Sequence, residues 1–159
     1  MPKYCLRAIY YSMIYPHILY GVELYANTSK KFLKPLITTN NKILRILQSK
    51  KLNIHTSELY KDYKTLTIPL LFQFKILKFM HKFNHFNNML PLIYSNYFCK
   101  NISIHNHNTR QCSNLHQTRF MKNIGQKSIK FLGVKYWNSL NITLKMKMNV
   151  FKFKKLLEN

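Results

Sequence analysis

Apolar positions recur along most of this chain at helical spacing. Residues 4–26 are apolar on nearly every side and read as an apolar helical hairpin or one kinked helix, broken near Pro16. Residues 30–49 carry the clearest two-faced pattern. Leu33, Leu36, Ile37, Ile43, Leu44 and Leu47 share one face, and Lys31, Lys34, Thr38, Lys42, Arg45 and Ser49 the other. Pro35 either starts this helix or kinks it. Beyond Lys50-Lys51, Thr56 or Ser57 is placed to cap a short helix holding Glu58 and Asp62. Thr67 and Pro69 then open a long helix over residues 68–86, with Leu70, Phe74, Leu77 and Met80 among its apolar positions.

The pattern weakens after residue 84. Asn84 to Asn88 is a polar break, Leu90–Phe98 reads as a short helix, and residues 99–118 as a surface loop poor in large apolar side chains. Residues 128–132 read as a short strand or extended segment, with Gly133 as a turn. The end is ambiguous: residues 144–148 alternate like a strand, while Val150, Phe153 and Leu157 space like a helix. The class is mainly α. The chain divides into a helical region, 1–98, and a basic, loop-rich region, 99–159, ending in a helix.

Length and composition narrow the function. One ordinary domain fits 159 residues, and 47% apolar with 14% aromatic content argues against disorder. The formal net charge of +22 points to a polyanionic partner. Lys, Asn, Ile, Phe and Tyr supply 76 residues, all from A/T-rich codons, and Lys outnumbers Arg 22 to 4. Codon bias therefore accounts for the choice of Lys over Arg. It does not account for having only Glu23, Glu58, Asp62 and Glu158 as acids. Chemistry built on several converging carboxylates is excluded unless distant segments meet.

Compartment follows from the cysteines and the apolar runs. Cys5, Cys99 and Cys112 are too few and too far apart for a disulfide framework, which favours a reducing, intracellular setting. The uncharged, strongly apolar run 8–22 is interrupted by Pro16 and falls short of the roughly 20 residues that span a bilayer. Its Tyr, Pro and His content suits a buried helix pair better than a signal peptide.

The candidate constellations are few. Glu58 and Asp62 share a helix face, but Lys61 and Lys64 lie close enough to neutralise them, so surface pairing is expected rather than a metal. Cys99, His105, His107, Cys112 and His116 invite a zinc reading, yet only Cys112 and His116 form a regular pair, and a mobile surface loop is expected instead. No cofactor is expected. Gly125-Gln-Lys-Ser128 lacks the first glycine of a phosphate loop, position 120 being Phe. Basic residues interleaved with aromatics remain. Lys31, Lys34, Lys42 and Arg45 form one stripe suited to a phosphate backbone. His105, Arg110, Arg119, Lys122, Lys127 and Lys130 form a second stretch, flanked by His and Phe that can stack on bases.

The same residues carry a resemblance. Tyr11-Ser-Met-Ile-Tyr-Pro-His-Ile-Leu-Tyr-Gly-Val-Glu23 resembles the segment after the catalytic palm of non-LTR retrotransposon reverse transcriptases, the jockey-like elements especially. Asn41-Lys-Ile-Leu-Arg-Ile-Leu47 resembles the family's next helix. Leu90-Pro91 and His105-Asn-His-Asn-Thr-Arg110 resemble its H-x-Y-x-T-R stretch. Asn123-Ile-Gly-Gln-Lys-Ser-Ile129, Gly133 and Trp137-Asn-Ser-Leu140 resemble its C-terminal block. The order is kept along nearly the whole chain. Departures are Tyr25-Ala26 for Trp-Gly, His107 for Tyr, and Asn141 for Pro.

The resemblance implies a helical, thumb-like bundle with a basic tail that binds RNA or DNA (template–primer or target DNA) through phosphates. It implies a nuclear site of action and no membrane. The family's polymerase needs two Mg²⁺ held by palm aspartates, including a Phe/Tyr-x-Asp-Asp turn, and Asp62 stands in no such motif. The chain is therefore expected to be a truncated fragment without its palm, and no enzyme on its own. The alternatives are a stand-alone, domesticated nucleic-acid-binding module or a non-functional transposon relic.

Overall fold

The computed structural model describes residues 2–105, 107 and 109–146. The described chain is mainly helical, and apart from one isolated antiparallel bridge between Lys100 and Leu115 it contains no strand pairing. It packs as two units whose boundary falls between Phe72 and Gln73.

In the first unit, α1 (Lys3–Ile9) runs into a π-helical turn at Tyr10–Ile14 and on into α2 (Tyr15–Leu19). Pro16 explains the widened turn. It has no N–H to bond the carbonyl four residues back, and its ring crowds that carbonyl, so the preceding turn opens. Tyr15 N–H accordingly donates to the Tyr10 carbonyl, five residues back. Gly21 reverses the chain at φ 64, in the left-handed region that costs a residue with a Cβ about 1 kcal/mol or more. The short helix α3 (Val22–Tyr25) follows, and the Tyr25 hydroxyl ties it back to the Ile18 carbonyl. The helical run thus continues through Pro16, and the break expected near that residue falls at Tyr20–Gly21 instead.

Helix α4 (Lys30–Leu47) keeps Pro35 inside it. Its Leu33 and Leu44 are buried, with Leu36, Ile37, Ile43 and Leu47 half-buried. Helix α5 (Thr56–Tyr63) is capped by His55, whose Nδ1 accepts from Ser57 N–H at 3.3 Å. Neither Thr56 nor Ser57 caps it, because the chain already turns helical at Thr56. Tyr10, Leu44, Leu59, Tyr60 and Tyr63 close the core of this unit. Each contributes roughly 1.5–3 kcal/mol by leaving water.

Helix α6 (Ile68–His85) starts where Thr67 and Pro69 predict. From Gln73 onward it belongs to the second unit, where Ile76, Leu77, Met80 and Phe83 are buried along with Phe98, Val134 and Trp137. Two expectations fail here. Leu90–Phe98 holds only a single 3₁₀ turn, Leu92–Tyr94, because Leu92 and Ile93 point to solvent and no apolar face sustains a helix. Residues 128–132 are not extended: Ser128 caps α8 (Ile129–Ser139), accepting from Phe131 N–H at 3.3 Å.

Gly133 is no turn either. It lies buried in α8, where a Cβ would sit 2.7 Å from Met80 Sδ, so its bareness permits close approach to Met80 and Phe98. The loop 99–118 is stitched internally, with His116 N–H donating to the Cys99 carbonyl (2.8 Å) and Asn101 N–H to that of Asn114 (3.0 Å). Short helices α7 (Asn123–Gln126) and α9 (Ile142–Lys145) complete the described chain. The predicted helix through Val150, Phe153 and Leu157 lies outside the described residues.

Ser128→Ala is expected to destabilise the second unit by about 1 kcal/mol, read as a lowered urea midpoint at unchanged m-value.

Candidate nucleic-acid interface

On α4, Lys31, Lys34 and Lys42 are exposed and fall within one narrow stripe at 100° per residue. From Lys31 to Lys42 the helix rises about 16 Å. That equals the rise of roughly five phosphates of one strand measured along a duplex axis. Arg45 belongs to the same stripe by spacing but not by environment. The chain following α4 folds back past it, and Arg45 Nη2 donates to the Ile54 carbonyl at 3.3 Å. Its Nε is buried and lacks a partner. Arg45 therefore holds the α4–α5 connection and offers less of itself to a ligand than the lysines do.

The acids of α5 pair differently from expectation. Asp62 bridges to Lys50 at 3.3 Å across the loop, rather than to Lys61 or Lys64 on its own helix. With both side chains partly exposed, this contributes little.

In the second unit, His105, Arg110, Arg119, Lys122, Lys127 and Lys130 are all exposed. Lys130 extends its ammonium 5.6 Å from the centroid of the Tyr97 ring, a cation–π contact. The His105 ring stands 6.1 Å from that of His116, whose Nδ1 meets Asn101 Oδ1 at 3.2 Å. Phe120 is not free to stack on a base. It is half-buried and edge-on to Phe131, and the bare Gly125 backbone sits against it. Among the described residues no three His, Cys, Asp or Glu side chains gather as a metal site would need. No described helix is long and apolar enough to cross a membrane.

Two concavities accompany these surfaces. One, of about 460 Å³ in the first unit, is bounded by apolar side chains such as Met13, Ile18, Leu36 and Ile43, with His17 and Tyr25 beside them. Among the described residues nothing in its lining carries a fixed charge. The other, of about 480 Å³ in the second unit, is polar. Arg110 stands at it together with Asn84, Asn138, Asn141, Trp137 and Lys145. Lys145 Nζ donates to the Asn138 carbonyl at 3.0 Å, and burial pushes this amine below its ordinary value. His85 Nε2 carries its proton towards the Lys145 carbonyl at 2.8 Å. Asn138 in turn grips Leu115 from both sides, Oδ1 accepting its N–H at 3.2 Å and Nδ2 donating to its carbonyl at 2.8 Å.

Sequence reading places Arg110 among the cationic residues but gives no hint of Lys145, which sits in an alternating stretch with no helical signal of its own. Trp137 is buried, as a structural anchor should be. Compared with known protein families, curated protein sequences and solved structures, the chain matches none.

Proposed function

We propose that this chain is a nucleic-acid-binding thumb-and-tail piece of a non-LTR reverse transcriptase, holding RNA or DNA for chemistry housed in a palm it does not contain. The observation that carries this reading is the exposed stripe of Lys31, Lys34 and Lys42, spread over about 16 Å of one helix face with no acid among them. The exposed arginines and lysines between Arg110 and Lys130 add a second electropositive surface. A further observation favours a piece of a larger body over a stand-alone module. Tyr4, Met13, Tyr20 and Leu24 in the first unit are all more than 60% exposed, and Met13 and Tyr20 border one apolar concavity, which suits a covered face.

The test is equilibrium binding of a labelled RNA–DNA duplex over a range of salt, with Lys31, Lys34 and Lys42 replaced together by Ala. Affinity is expected to fall by a similar factor for unrelated sequences, and the log–log salt slope to lose about three units. Over a fourfold rise in salt, that makes the loss of affinity about 40-fold smaller than for the unaltered chain. Unchanged affinity and slope would sink the assignment.

A further inference from the structure

We infer that the polar cavity of the second unit is a nucleotide subsite, taking one phosphorylated nucleoside with its phosphate between Arg110 and Lys145. The inference deepens the nucleic-acid reading and rests on it only for the source of the nucleotide.

Three observations lead there. The first is charge: among the described residues the lining contains a guanidinium and an ammonium and no carboxylate. Lys145 spends one donor on the Asn138 carbonyl and keeps two. Burial disfavours its charged form, so it gains from an anion placed beside it. Arg110, exposed at the rim, supplies the planar fork that matches phosphate oxygens.

The second is rigidity. Asn138 is clamped to both backbone groups of Leu115, and His85 holds the Lys145 carbonyl, so the walls are set before any ligand arrives. A preformed site avoids the ordering cost of binding.

The third is size and composition. About 480 Å³ lies within the range that encloses small organic ligands and is more room than a bare phosphate needs. Asn84, Asn114 and Asn141 present amides, which carry donors and acceptors together, as the edge of a base demands.

Trp137 is the one tryptophan in the chain and borders this cavity, so its emission reports on occupancy. The full chain is titrated with uridine monophosphate, with a short oligouridine and with inorganic phosphate, exciting at the red edge of tryptophan absorption. Anisotropy of a labelled oligonucleotide is read in parallel. A saturable emission change with uridine monophosphate is expected, weakened about tenfold or more by Lys145→Met and by Arg110→Ala. Inorganic phosphate is expected to bind more weakly. Helix content by circular dichroism accompanies each variant. Should Lys145→Met fail to fold, the exposed Arg110 still tests the site.

No emission change with either nucleotide probe, or a change indifferent to both variants, overturns the inference. Equal affinity for inorganic phosphate overturns the nucleoside part of it. A response to oligouridine matching that to the monophosphate identifies a polynucleotide as the source, and a response to the monophosphate alone identifies a free nucleotide. If labelled oligonucleotide binds while Trp137 stays silent, the subsite falls and the broader reading stands. If Trp137 responds through Lys145 and Arg110 while no oligonucleotide binds, the broader reading falls instead.

Discussion

Asn40→Leu is expected to destabilise the first unit by about 2 kcal/mol although it adds apolar surface to a buried position. Asn40 is 2% exposed and sits between two tyrosines. Its Oδ1 accepts from the Tyr10 hydroxyl at 3.2 Å, and its Nδ2 donates to the Tyr60 hydroxyl at 3.1 Å. Tyr60 has a second outlet, donating to Asn41 Oδ1 at 2.7 Å. Removing the amide therefore harms Tyr10 most, since its 1% exposed hydroxyl loses the acceptor its proton is aimed at. A buried donor that loses its acceptor costs roughly 1–3 kcal/mol, of which the Thr65 hydroxyl beside Tyr10 can take up part. Combining Asn40→Leu with Tyr10→Phe replaces both members by apolar groups and is expected to recover most of the loss. Chemical denaturation of the two single variants and the double variant checks this as a cycle. A double variant no better than the sum of its singles would mean that the hydrogen bond carries no coupling.

The second large effect appears in alkali. Burial pushes the Tyr10 hydroxyl up to about 12. Burial likewise raises Tyr60, Tyr63 and Tyr25. In the unfolded chain these phenols ionise near 10. A group whose pKa is higher in the folded state gives its full stability below the unfolded value. That stability is lost as pH rises from about 10 through the folded value. For Tyr10 the two-unit gap corresponds to about 3 kcal/mol. Lysine deprotonation over the same range eases the repulsion of a chain with formal charge +22, which opposes the trend. The clean measurement is therefore the difference between the unaltered chain and Tyr10→Phe. Unfolding free energies are compared near neutrality and close to pH 12, where the variant is expected to lose less. Parallel pH curves for the two would contradict the assignment.

These groups also mark the limit of what the sequence discloses. The apolar faces of α4 and α6 are legible because burial selects residues at helical spacing, and both helices begin within a residue or two of where the pattern puts them. Asn40 is not legible, because one polar residue inside an apolar face looks like noise until its two tyrosine partners are seen. Arg45 fails for a related reason: spacing fixes its direction around the helix but says nothing of the loop that later covers it. Ser128 to Leu132 misleads because Ile and Phe favour strands locally, and the local cap at Ser128 is outweighed in such a reading; only the bare contact at Gly133 is decided by distant neighbours, Met80 and Phe98. Among the candidate site residues, the exposed lysines of α4 and those near Arg110 could be found from charge alone. Lys145 could not, since its place beside the cavity depends on α6, α8 and the loop at Leu115 closing together.

The widened turn ahead of Pro16 has a bearing on insertions and deletions. Tyr10, Ile14 and Ile18 are spaced by four, and in an uninterrupted α-helix such spacing drifts by about 40° per step. A turn that takes up an extra residue absorbs part of that drift, keeping Tyr10 and Ile18 buried and Ile14 packed on the core. The helix is thus written one residue longer than its geometry needs. Dropping one residue between Tyr10 and Ile14 is therefore expected to close the turn to ordinary α-helix with its flanks still in register. Dropping a second would turn everything before it by about 100° and carry Tyr10 out of the core. Ser12 and Met13 lie on its outer side, and the widened turn leaves room for the loss of one residue but not of two.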